Sequence, residues 1–451
     1  MININAQYVL GGGALLFVMI DLIRSRLTTG NKKAMHVFTL LFLSVSFVVE
    51  LIFGNLDTAF FSMTQFSYFI NGFILFLAIL IYAFMYFTYD DYSTSIDLLF
   101  LFAVLGATLV VISSNFISLL ISIELLSIPS YGMVFFQKSR RRLEGTLKYV
   151  ATSFVSMAIL IFGISLVYGG AGSLDFSSVA LINYVPFVAG ISLVVVGLAF
   201  KSTLVPFHMW APDVYEAAAS PITSFLASIS KAAGLVAIIH VFFFAFPLAS
   251  NLIQPMFVIL ALSTIFFASF LAIIQERIKR ILAYASIAQA GFAFIGVSLA
   301  PYVGTGAAVF YIFSFAVADC LVFLAYSIFE EQNIKYKKDI VNIPRISRIT
   351  TVAFSLGLLS LAGLPPTIGF FGKLLIFQAL LSNGYFYFVI AVFVILLFSA
   401  FYYLSLLRDI DPITAPSRLK YGKIDKNLRY KEAILSILLI SLFVGILFVV
   451  F

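Results

Sequence analysis

The sequence predicts an all-α polytopic membrane protein of about fourteen transmembrane helices, and three observations carry that prediction. Of 451 residues, 62% are hydrophobic and only 10% are charged, against about 25% charged in an ordinary soluble domain. Apolar runs of roughly 20 residues, each long enough to cross a hydrocarbon core of about 30 Å, follow one another along almost the whole chain. Of the 27 Lys and Arg residues, 24 fall in alternate loops, so all of these can lie on the cytoplasmic face under the positive-inside rule. The mean hydropathy of +1.11 agrees.

The predicted spans are 6–23, 36–54, 69–88, 97–113, 115–136, 149–169, 187–205, 222–246, 253–275, 281–300, 306–329, 350–382, 385–407 and 432–451. The first has no basic region before it and no small-residue cleavage site after it, which predicts a retained helix rather than a signal peptide. The basic loops are 24–33, 137–148 (Lys138, Arg140, Arg141, Arg142, Lys148), 276–280 (Arg277, Lys279, Arg280), 330–348 and 408–431. The alternate loops near 55–68, 170–186, 247–252, 301–305 and 382–384 contain no Lys or Arg. This asymmetry places both termini outside. The net charge of +7 therefore sets orientation and does not point to nucleic acid. A single cysteine, Cys320, excludes disulfides within the chain and iron–sulfur or zinc ligation by this chain alone.

Two segments depart from plain apolar helix. Residues 201–213 read Lys-Ser-Thr-Leu-Val-Pro-Phe-His-Met-Trp-Ala-Pro-Asp, and residues 362–373 read Ala-Gly-Leu-Pro-Pro-Thr-Ile-Gly-Phe-Phe-Gly-Lys. Proline removes a backbone donor and clashes with the preceding turn, so both helices should break. Interrupted spans at corresponding positions of two halves point to inverted repeats around a transport path. The expected organisation is 1–96 (helices 1–3), a first inverted five-helix repeat at 97–246, a second at 253–407, and 408–451 with a cytoplasmic loop and helix 14.

Three basic residues lie inside the spans: Lys201, Lys231 and Lys373. A charge at a helix centre costs about 2.5–3.5 kcal/mol on insertion scales, so each is a functional candidate. Lysine suits a proton relay because its ammonium loses a proton readily when desolvated, whereas arginine does not. Snorkelling to an interface is the structural alternative for Lys201 and Lys373. Glu124, near the middle of the fifth span, can pair with Lys201 as a charge switch. Asp319 lies mid-span and invites the same reading. His208, just past Pro206, can pass protons toward the cytoplasm or hold the broken loop. His240 belongs to the relay or to packing, and His36 reads as interfacial. Gln289 and Ser286 can line a path by hydrogen bonding without titrating. No metal-ligand cluster or nucleotide-binding motif appears, and Gly11-Gly12-Gly13 has no strand before it.

Several of these motifs, in order, resemble the subunit N family within the antiporter-like subunits of complex I, the proton-pumping NADH:quinone oxidoreductase. They are Glu124-Leu-Leu-Ser-Ile-Pro-Ser-Tyr131, Leu147-Lys-Tyr149, Phe200 through Glu216, Ser230-Lys231, Ile278 through Ser286, and Gly363 through Lys373. The resemblance implies fourteen helices with two inverted repeats, broken helices seven and twelve, and proton-channel roles for Glu124, Lys201, Lys231 and Lys373. It also implies the plasma membrane of a prokaryote and partners among the other membrane-arm subunits. Quinone, flavin and iron–sulfur clusters are expected on those partners, with no cofactor on this chain. The absence of a long lateral helix after helix fourteen favours subunit N over the distal L subunit. Two positions depart from the family pattern: Gln289 stands where a histidine is frequent, and Asp319 is not a family residue. The second half-channel is therefore expected to use a water path around Gln289, or Asp319 in compensation. An independent Na⁺/H⁺ antiporter and a passive membrane scaffold are the alternative functions.

Overall fold

A computed structural model of the chain describes residues 5–26, 32–53, 58, 60–89, 93–136, 139–180, 188–247, 250–299, 304–408, 410 and 427–450. The basic loop residues Lys138, Arg418, Lys420, Lys423 and Lys426 lie outside the described residues. The helices are α1 (Ala6–Arg26), α2 (Lys32–Phe53), α3 (Gln65–Thr88), α4 (Ser95–Ile112), α5 (Phe116–Phe135), α6 (Arg140–Ala171), α7 (Phe176–Val179), α8 (Val188–Lys201) and α9 (Trp210–Ala217). They continue with α10 (Ser220–Phe225), α11 (Lys231–Phe244), α12 (Ser250–Ile273), α13 (Ile278–Ser298), α14 (Gly304–Glu331), α15 (Arg348–Ala362), α16 (Ile368–Ser382), α17 (Phe386–Arg408) and α18 (Leu428–Val450). A single π-helical turn, Leu226–Ser230, joins α10 to α11.

Each predicted span overlaps one of these helices. Among the described residues, ten helical stretches are long and apolar enough to cross a membrane, and four shorter apolar helices accompany them. Two of the shorter ones, α15 and α16, are the halves of the predicted broken span.

The chain divides into two compact units. The first comprises Met1–Leu198 and Val236–Leu248. Its helices start on side-chain caps: Thr64 accepts from the Ser67 amide before α3, and Asn115 accepts from the Ser118 amide before α5. These caps satisfy amides that a helix N-terminus leaves without intrahelical partners. The Ser139 side chain likewise caps α6 by accepting from the Arg142 amide. Because α6 starts at Arg140, the predicted loop 137–148 is mostly helix, and its arginines lie on the first turn of a span.

Within this unit His36 is buried rather than interfacial. Its Nδ1 lies 2.7 Å from Asp97 Oδ2, and Tyr82 Oη donates to Asp97 Oδ1 at 2.7 Å. A carboxylate buried in an apolar bundle needs such partners, and nothing in the spacing of three distant helices announces them.

The second unit comprises Ala199–Leu235 and Ala249–Phe451. Its centre is α13, which is buried along almost its whole length, packed against α12 and α14. At one end, Arg280 Nη1 donates to Asp213 Oδ1 at 2.7 Å and to Glu216 Oε2 at 3.1 Å. Arg277 donates to the other oxygen of Glu216, which pushes the guanidinium further above its ordinary range. Lys279, predicted as a loop cation, is instead buried; its Nζ donates to the Ala218 carbonyl at 2.6 Å and to Glu330 at 3.2 Å. Burial of that ammonium is tolerable because a carboxylate and a helix-end carbonyl take its hydrogens.

Candidate functional site

The two predicted breaks form, and they share a backbone plan. At the first, α8 ends with Lys201, the Leu204 amide reaches back to the Ala199 carbonyl at 2.9 Å, and Thr203 adopts φ +58°. At the second, α15 ends with Ala362, the Leu364 amide reaches back to the Leu359 carbonyl at 3.0 Å, and Gly363 adopts φ +80°. Each left-handed residue precedes a cis proline by three positions, Pro206 and Pro366. A left-handed residue with a reach-back amide is how a helix closes its last carbonyls. Proline then prevents the helix from resuming at once.

The second break is built around Lys373. Its Nζ donates to the carbonyls of Leu361 at 2.8 Å and Ala362 at 3.0 Å, the last two of α15. It also lies 4.8 Å from the centre of the Phe292 ring. A helix C-terminus carries roughly half a negative charge, so an ammonium there is stabilised where lipid could not solvate it. This buried head group does not snorkel. Gly363 is required twice over: its φ suits glycine, and a Cβ there would lie 2.6 Å from Lys373 Cδ.

Gln289 on α13 extends this cluster. Its amide nitrogen donates to the same Leu361 carbonyl at 3.0 Å and to Tyr403 Oη at 2.6 Å, while its amide oxygen accepts from Tyr311 Oη. All three are buried.

A second cluster forms at Lys231. This residue follows the π-helical turn in the middle of the continuous helical stretch Ser220–Phe244 and is 1% exposed. Its Nζ donates to Ser286 Oγ at 2.5 Å, and Ser286 Oγ donates in turn to Asp319 Oδ2 at 2.5 Å. The Tyr215 ring lies 5.5 Å from the ammonium. Asp319 is buried, and its Oδ1 has no partner among the described residues. The arrangement is a carboxylate and an ammonium joined through one hydroxyl, a connection that can shuttle a proton in either direction.

Lys201 is buried at the first break, where a Cβ on Gly234 would lie 3.2 Å from its Cγ. Glycine at that position lets α11 approach the lysine stem. His208 lies in the break and is buried, with Nδ1 unpartnered among the described residues. Glu124 is half-buried on α5 of the first unit. His240 also belongs to the first unit, hydrogen-bonded to the Val111 backbone with its ring centre 4.6 Å from that of Phe244. The contacts described here join Lys231 to Asp319 and Lys373 to Gln289; they place His240 in an aromatic environment apart from both.

Sequence reasoning found Lys231, Asp319, Gln289 and Ser286 one by one, but not that they form two groups. Tyr311 and Tyr403 were missed altogether: among 22 tyrosines, nothing in the sequence marks those that face an amide. Among the described residues, no group of three or more His, Cys, Asp or Glu side chains is placed to hold a metal ion.

These sites lie within a stretch with recognisable relatives. Residues 113–399, which contain all eight candidate residues, match the family model described as NADH:quinone oxidoreductase/Mrp antiporter, transmembrane. The chain is 35% identical over 319 residues to NADH-quinone oxidoreductase subunit N from Parvibaculum lavamentivorans, covering 69% of this chain and 66% of the relative. It is 36% identical over 313 residues to the protein of the same name from Moorella thermoacetica, covering 68% and 66%. The matched stretch thus spans just under two thirds of those relatives' own length. The fold superposes on a chain of respiratory complex I from Thermus thermophilus, solved with bound aureothin, with a TM-score of 0.85 at 25% identity, covering 98% of this chain and 97% of that one. The chain belongs to the NADH:quinone oxidoreductase/Mrp antiporter transmembrane family.

Proposed function

We propose that the chain translocates protons as a membrane-arm subunit of a complex I-type NADH:quinone oxidoreductase in a prokaryotic plasma membrane. The observation that carries this reading is the continuous connection Lys231–Ser286–Asp319, with both hydrogen bonds at 2.5 Å and all three residues buried. Transfer along it is balanced. The ammonium gives a proton to Ser286 Oγ as that hydroxyl gives its own to Asp319, leaving a neutral amine and a carboxylic acid; the reverse restores the ion pair. Each direction changes the local charge and therefore the proton affinity of neighbouring groups. That coupling lets quinone reduction on a partner subunit drive movement in this one.

Lys373 is the second proton-holding site, with its charged form supported by the α15 carbonyls. Lys201 and Glu124 serve as the switch pair on the entry side, and His208 exchanges protons with the cytoplasm. Outward release near Lys373, termini outside, and inverted repeats at 97–246 and 253–407 complete the reading. Flavin, iron–sulfur clusters and quinone belong to partner subunits, and the redox chemistry occurs there.

Replacing Lys231 with alanine tests it. In vesicles carrying the assembled complex, Lys231→Ala should lower the number of protons taken up per electron passed to quinone, measured by dye quenching alongside donor oxidation. An unchanged ratio removes Lys231 from the path.

A further inference from the structure

The first unit holds a second group of buried polar side chains that the proton path does not use. Asn5, Gln7, Glu50 and Asn71 are 1%, 4%, 1% and 0% exposed. The Glu50 carboxylate faces the Asn71 amide, yet none of the eight side-chain polar atoms of these four residues closes a hydrogen bond of ordinary geometry among the described residues. Leaving a buried polar group unsatisfied costs about 1–3 kcal/mol, and more when it is charged. Four together call for a ligand.

Helix register brings them to one level. Thr94 donates to Asp21 at 3.1 Å, and a Cβ on Gly11 would lie 3.8 Å from Leu105, so α1 runs antiparallel to α4. His36 on α2 and Tyr82 on α3 both meet Asp97 on α4. Continuing along each helix at about 1.5 Å per residue brings all four polar residues opposite the Thr108–Val111 turn of α4. They approach that turn from three helices that pack with α4 and with one another.

We infer that this level of the α1–α4 bundle is a binding site for a single alkali cation. Its possible ligands are two carboxylate oxygens from Glu50 and one amide oxygen each from Asn5, Gln7 and Asn71, a hard all-oxygen set. One carboxylate balances one positive charge; a divalent ion would leave net charge inside an apolar bundle. The site precedes residues 113–399 and so lies outside the part of the chain that matches the family model. It stands independently of the proton path.

Infrared difference spectra of the purified complex in NaCl against choline chloride test the inference. The wild type should show Na⁺-dependent carboxylate bands that are lost in Glu50→Gln, and Asn71→Ala should raise the half-saturating Na⁺ concentration at least tenfold. Should Glu50→Gln fail to assemble, Gln7→Ala should produce a similar tenfold rise. Bands that are absent from the wild type, or that persist unchanged in these variants, would overturn it and leave the site filled by water or a proton only.

Discussion

The two helix breaks use one backbone bend for opposite electrostatic ends. In both, a left-handed residue sits three positions before a cis proline, and an amide reaches back five residues. At the first, the lysine is the last residue of the incoming helix. At the second it comes ten residues after the left-handed glycine, on the outgoing helix, and folds back onto the incoming helix's last carbonyls. Ten residues after Thr203 stands Asp213, tied to Arg280 at 2.7 Å. The bend and the lysine are therefore separate devices: one exposes a helix end within the bundle, and the other decides which charge meets it.

Substitutions at matched positions should pull these devices apart. Lys373→Leu should have the largest effect. It removes an ammonium hydrogen-bonded to two carbonyls, costing about 1.5–3 kcal/mol per charged hydrogen bond lost, and it should suppress proton uptake in vesicles while the complex still assembles. Gly363→Ala comes next, because an L-residue in that conformation costs about 1–2 kcal/mol before the clash with Lys373; a lower thermal midpoint of the purified complex is the readout. At the first break Thr203 already bears the left-handed cost, so Thr203→Gly should raise that midpoint slightly. The gain is limited to about 1 kcal/mol because glycine returns some conformational freedom to the unfolded chain. Asp213→Asn should matter least. Arg280 retains Glu216, and a part-exposed ion pair contributes about 0.2–1 kcal/mol. Equal losses from Lys373→Leu and Asp213→Asn would mean that the two outgoing helices are interchangeable after all.

Much of this was legible in the sequence. Apolar length marks every span, proline marks both breaks, and isolated charges mark Lys201, Lys231, Lys373, Glu124 and Asp319, because each of these signals acts within a few residues of itself. Partnership was not legible. Ser286 lies between Lys231 and Asp319 only because α13 packs beside both helices, and Gln289 meets Tyr311 and Tyr403 across separations of 22 and 114 residues. The burial of His36 and Lys279 was hidden for the same reason: a cation near a helix end looks solvated until the carboxylate that holds it arrives from elsewhere. Gln289, singled out because it replaces a frequent histidine, turns out to be held at both ends of its amide.

The turn of wider winding at Leu226–Ser230 has a consequence for how this chain tolerates length changes. A π turn contains one residue more than an α turn, so deleting any one of those five residues would let an ordinary helix form and would rotate everything beyond it by about 100°. Lys231 would then swing away from Ser286 onto a different face of the same rod. A single-codon loss there would preserve hydrophobicity, span and fold while disconnecting an ammonium from its only route to a carboxylate.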